Sequence, residues 1–173
     1  RFSPVDPTLF VTGGGDPTVR LWRYEGEEVD KSGNIRTLDD GTVIVHQEVR
    51  DDHLVSDPWQ SFKPPVSGVI TRIDLQPALA EGHQGDLSFY EGEGISGTRI
   101  HTQRYTVPAT GRDPWKSFML DKPLEVFQGV TYTFELEGAV GMWHAKTDRY
   151  GDGRASRGAD FVFRLYFTPK KDD

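Results

Sequence analysis

Tyr132-Thr133-Phe134-Glu135-Leu136-Glu137 alternates large apolar with polar side chains. Successive side chains of an extended chain point to opposite faces, so Tyr132, Phe134 and Leu136 share one face and Thr133, Glu135 and Glu137 the other. That is the pattern of a half-buried strand. Val69-Ile70-Thr71-Arg72-Ile73-Asp74-Leu75 carries the same alternation upstream, and Phe161-Val162-Phe163-Arg164-Leu165-Tyr166-Phe167 is a nearly continuous apolar run that fits a central strand. Outward from these, Gly, Pro, Asp and Asn bound further β-prone runs. Strands are predicted over 59–63, 68–76, 85–91, 98–107, 115–120, 131–137, 141–146 and 161–168. Eight strands without helical periodicity predict an all-β fold: a two-sheet sandwich of jelly-roll type over residues 56–173.

An internal echo agrees with this. Asp57-Pro58-Trp59-Gln60-Ser61-Phe62 recurs as Asp113-Pro114-Trp115-Lys116-Ser117-Phe118, each copy followed by a Pro-containing piece and a Gly that opens an alternating strand. A four-strand unit duplicated across two sheets would produce the repeat. The equivalent places of Trp59 and Trp115 suit core or sheet-rim packing better than ligand stacking.

Composition narrows the function. The chain has 173 residues, a formal charge of −7, 19 glycines, 11 prolines and 12% aromatic residues, which suits short strands joined by tight turns. No apolar run approaches the ~18 residues that a membrane span requires. An acidic chain without a Lys/Arg cluster is a poor nucleic-acid binder, because that affinity is mostly phosphate neutralisation. The absence of cysteine excludes thiol catalysis, thiolate zinc sites and disulfides. The chain opens on Arg1, as a fragment or processed form would.

Residues 1–55 are organised differently. Leu9-Phe10-Val11, a turn through Gly13-Gly14-Gly15-Asp16-Pro17, and Val19-Arg20-Leu21-Trp22 alternate short apolar pieces with dense turn chemistry. A turn over 30–34, a short strand over 35–38, Asp39-Asp40-Gly41 and a strand over 42–46 follow, and the charged stretch 48–53 reads as a linker. With so little apolar content this part is expected to pack on the head or on a partner chain. It is expected to be a β-rich shaft or docking segment.

Two resemblances compete over this segment. Phe2-Ser3-Pro4 through Trp22 resembles one blade of a WD-repeat propeller, but no second copy of the pattern is found. Residues 30–42, with Gly33-Asn34-Ile35-Arg36-Thr37 and Asp39-Asp40-Gly41-Thr42, are similar to the linkers that precede C-terminal heads in phage tail fibres and some bacterial adhesins. Over residues 57–168, the segments 59–62, 67–75, 86–98, 113–118, 127–138 and 161–167 resemble a recurring bacterial β-sandwich module of secreted and cell-surface proteins, similar in build to carbohydrate-binding jelly rolls. That resemblance implies a binding or assembly module on the outside of a cell or virion, in an extracellular setting. A fibre shaft would imply self-association, with a trimer as the expected assembly.

The stretch 143–154 carries the densest chemistry. Trp143, His144, Asp148, Arg149, Tyr150 and Arg154 bring aromatic surface, carboxylate and guanidinium forks together with Gly151 and Gly153. Sugar recognition needs that mixture, an aromatic face for the pyranose and planar forks for its hydroxyls. The alternative is a solvated turn in which glycines bend the chain and aspartates cap backbone amides. Asp148, Asp152 and Asp160 offer hard oxygen ligands for calcium, without the dense spacing of an EF-hand loop. As a binding residue, Tyr150 is expected to be replaceable without loss of fold.

Catalysis finds little support. No HExxH, GxSxG or P-loop is present, and His46, His53, His83, His101 and His144 are scattered. Glu91, Glu93, Glu135 and Glu137 fall where solvent-facing residues are expected. The expectation is a non-enzymatic recognition module that binds a surface glycan or host receptor, with no cofactor unless calcium. The alternatives are a structural assembly protein without a small ligand and an accessory domain of a larger hydrolase.

Overall fold

The structure is a computed structural model that describes residues 9–13, 19–23, 28–29, 34–51, 53–55, 58–108, 114–138, 141–156, 158 and 160–170. Residues 2–4, 14–18, 30–33, 52, 57 and 113, which enter the expectations above, lie outside the described residues. The described chain is all-β, and its strands pair antiparallel throughout. In order they are β1 (Leu9–Gly13), β2 (Val19–Arg23), β3 (Glu28–Val29), β4 (Ile35–Thr37), β5 (Val43–Gln47), β6 (His53–Val55) and β7 (Trp59–Phe62). There follow β8 (Gly68–Leu75), β9 (Gln84–Glu91), β10 (Thr98–Thr106), β11 (Lys116–Val126), β12 (Tyr132–Leu136), β13 (Met142–His144) and β14 (Phe163–Pro169). A smaller, four-stranded sheet has the order β10-β9-β12-β7, and a larger, six-stranded one has β11-β8-β14-β5-β4-β3. β1 pairs with β2, and β13 with β6. Among the described residues no helix is long and apolar enough to cross a membrane.

Alternation decides which residues meet between the sheets. Phe134 of β12 faces Phe163 of β14 edge-on at 5.5 Å, Phe62 of β7 faces Phe167 of β14 at 6.2 Å, and Tyr105 of β10 faces Phe118 of β11 at 5.4 Å. Leu87, Phe89, Ile70, Ile73, Leu75 and Leu165 belong to this shared core. Each fully buried side chain of this size contributes about 1.5–3 kcal/mol of transfer free energy. Two sheets packed over one core make a β-sandwich-like architecture.

Two features differ from the expected strand map. The strand expected at 141–146 is the short β13, which pairs with β6 outside both main sheets. The larger sheet instead takes β5, from residues grouped with the shaft or docking segment: Val45 lies opposite Leu165 and Val43 opposite Phe167. A tight hairpin delivers β5, with Gly41 at φ +83°, its N–H donating to Leu38 O at 2.9 Å, and Thr42 N–H donating to Asp40 at 2.9 Å. The strand expected at 115–120 runs on to Val126, because the register slips between Met119 and Leu124 and absorbs Asp121-Lys122-Pro123 as a bulge. Pro123 has no N–H to give, and the outermost strand of a sheet tolerates that.

The free edge of β11 is covered. Gln103 of β10 donates to Met119 O at 2.9 Å and accepts from Asp121 N–H at 3.0 Å, so one side-chain amide imitates a neighbouring strand.

Candidate functional site

The 143–154 stretch is built on a buried carboxylate. Asp160 is 1% exposed. Its Oδ2 accepts the N–H of Arg149 at 2.6 Å and of Tyr150 at 2.8 Å, and its Oδ1 accepts from Gln60 Nε2 at 3.0 Å. The Gln60 carbonyl in turn accepts from Phe161 N–H at 3.0 Å. Burial pushes the Asp160 carboxyl above its ordinary range; the three N–H contacts offset part of this, and the Asp148 charge adds to it.

Tyr150 is the second anchor. It is 1% exposed, its ring stands perpendicular to Phe163 at 5.3 Å, and its hydroxyl lies 3.3 Å from Lys63 N and 3.4 Å from Lys63 O. A buried tyrosine needs a partner for its polar tip, and the end of β7 supplies one. The third anchor is backbone pairing to β7. Ser61 N–H donates to Arg154 O at 2.9 Å, Arg154 N–H donates to Ser61 Oγ at 2.9 Å, and Ser156 N–H donates to Trp59 O at 3.0 Å. Gly153 is required at this approach, since a Cβ there would stand 1.9 Å from Ser61 O.

The six residues nominated for binding therefore separate. Tyr150 belongs to the core, so its expected role as a replaceable ligand contact is corrected: its ring packs inward because an apolar slot and a backbone pair await it. His144 is also buried, with its ring edge-on to Phe161 at 6.0 Å. Trp143 is half-buried on β13, and the Arg50 guanidinium covers its ring at 3.6 Å. Asp148, Arg149 and Arg154 stay exposed on the rigid base, beside Lys146 and Asp152. Arg154 reaches Glu93 at 3.2 Å.

The calcium expectation fares differently. Asp160 directs its oxygens at N–H donors, whereas Asp148 and Asp152 are exposed. Among the described residues no group of three or more His, Asp or Glu side chains is placed to hold a metal. Comparison with known proteins finds no matching family model, curated protein or solved structure.

What the site can do follows from its parts. A loop with an anchored backbone that presents the carboxylates of Asp148 and Asp152 and the guanidinium groups of Arg149 and Arg154 to water can both accept from and donate to hydroxyls, the ordering cost falling on the exposed side chains rather than on the backbone. Glu93 is exposed, as expected of a solvent-facing residue, but its ion pair with Arg154 was not legible from sequence; Gly92 and Gly94, both at positive φ, aim its turn that way. Trp59, read as core or sheet-rim packing, is half-buried at the rim of the smaller sheet. Trp115 is half-buried as well, under the Arg164 guanidinium at 3.9 Å.

Proposed function

We propose that the chain is a non-enzymatic recognition module that binds a surface glycan or receptor through the exposed side of the 146–154 loop. The observation that carries this is the contrast within the loop: Asp160, Tyr150 and Ser61 lock its inner side, while Asp148, Arg149 and Arg154 stand in solvent.

The jelly-roll reading has support in the strand order. Taking β5, β7, β8, β9, β10, β11, β12 and β14 as first to eighth, the larger sheet runs 1-8-3-6 and the smaller 2-7-4-5. This alternation between sheets is what two Greek keys generate. A shift of four strands carries one order onto the other, and the two tryptophan-bearing repeats sit at or just before its equivalent strands β7 and β11. On this reading the head caps an extracellular or virion surface fibre, with the residues before β3 as shaft, since β3, β4 and β5 belong to the larger sheet, and the assembly trimeric.

A glycan array with the full chain tests the proposal. Binding that falls with Arg149→Ala and Arg154→Ala, at unchanged melting temperature, supports it. A structural assembly role is the second reading, favoured by Met119 and Phe127, apolar side chains 62% and 50% exposed on and just after β11. An array without hits, together with concentration-dependent association lost in Met119→Ser, would favour that role.

A further inference from the structure

Between β9 and β10 the turn over residues 92–97 is fixed by one hydroxyl. Thr133 Oγ1 donates to Gly92 O at 2.8 Å and accepts from Gly94 N–H at 2.9 Å, and Gly92 N–H donates to Thr131 O at 2.8 Å. Held this way, the turn lays Gly94 along the indole of Trp59, where even a Cβ would be 3.7 Å from the ring. It displays Ile95, 47% exposed, and sends Glu93 across to Arg154. Beneath it, Trp59 and Glu135 are register partners on β7 and β12, so they stand side by side on the face of the smaller sheet turned away from the core. Tyr90 donates to Glu135 at 2.7 Å and fixes that carboxylate.

We propose that Trp59, Glu93, Ile95, Glu135 and Arg154 form a saccharide subsite for a neutral hexopyranose, contiguous with the 146–154 loop through Arg154. The inference rests on the glycan-binding reading and extends it to the turn over 92–97. Apolar contact comes from the indole rim and Ile95, the apolar face of a sugar ring being their natural complement. Two carboxylates accept from hydroxyls and Arg154 donates to them, the combination a polyol satisfies. Arg99 beside Glu135 and Arg154 beside Glu93 balance the two carboxylates, so a uronic or sialic acid would bear the desolvation of its own carboxylate for no net attraction, which favours neutral sugars.

The test is a fluorescence and NMR titration of the full chain with methyl glucoside, methyl galactoside, methyl mannoside and glucuronate. Expected is binding of at least one neutral glycoside in preference to glucuronate. Glu93→Gln and Ile95→Ser should then weaken it about 5- to 30-fold, the loss typical of contact residues, without moving the melting temperature. Unchanged affinity in both variants, with binding abolished by Arg149→Ala, would overturn the subsite and leave the glycan reading standing. Preference for glucuronate would overturn the charge argument and with it the subsite. Failure of all four sugars, with an array equally blank, would overturn both.

Discussion

Replacing Asp160 by alanine probes the base on which the candidate binding loop stands. The carboxylate satisfies the N–H groups of Arg149 and Tyr150 and one Gln60 amide proton. Arg149 is exposed, so its N–H can turn to water, while Tyr150 and Gln60 are buried. Each stranded buried donor costs about 1–3 kcal/mol, so two cost about 2–6 kcal/mol. Relief of the buried charge offsets part of that, leaving roughly 2–4 kcal/mol. For a domain of this size the loss lowers Tm by about 4–16 °C. Asp160→Asn keeps one oxygen for the two backbone donors but sets an amide against Gln60, so the expected loss is about 1–2 kcal/mol. Urea unfolding and hydrogen exchange at the Tyr150 amide read both effects. The reasoning is refuted if Asp160→Ala unfolds within ~0.5 kcal/mol of the wild type, or if Asn and Ala are equivalent.

Gly153→Ala drives a Cβ into Ser61 O at 1.9 Å, and the loop should detach from β7 at a cost of about 1–3 kcal/mol, seen as faster exchange of the Ser61 and Arg154 amides. Burial raises the Glu48 carboxyl, but Arg164, bound through both oxygens at 2.8 and 2.7 Å, outweighs it with His46 and Arg36 and holds it below the ordinary 4.5. A depressed carboxyl stabilises the fold above pH 4.5 and stops doing so as pH falls through its folded value. Urea midpoints of Glu48→Gln should therefore be flatter across that acid window than those of the wild type. Burial and the Asp86 charge push Tyr105 up to about 12, so its contribution is intact below pH 10 and is lost as pH rises toward 12. Tyr105→Phe should remove that alkaline loss, and equal alkaline slopes in both proteins would contradict the assignment.

Periodicity carried the sheets well and the site poorly. Tyr132, Phe134 and Leu136 face the core as their alternation requires, since that signal is local and needs no partner. Thr133 belongs to the opposite face yet is fully buried, because the turn over 92–97 folds onto its hydroxyl. No local pattern encodes that cover. β5 was visible as a strand, but its partner β14 lies more than a hundred residues further on, so nothing near it showed which sheet it joins. Tyr150 misled for the same reason: in sequence it lies among glycines and charges, and its burial comes from Lys63, Asp160 and Phe163. The exposure of Arg149 and Arg154 was legible because charge on a glycine-bearing loop needs no long-range contact to stay in solvent.

Backbone chemical-shift mapping of the full chain with the best-binding array glycan tests the central claim most directly. The account predicts perturbations at residues 146–154 and at the adjoining turn over 92–97, with the Asp160-anchored amide of Tyr150 still protected. Perturbations gathered instead on the outward face of the larger sheet, around Arg72, Tyr166 and Arg164, with the 146–154 loop silent, would contradict it.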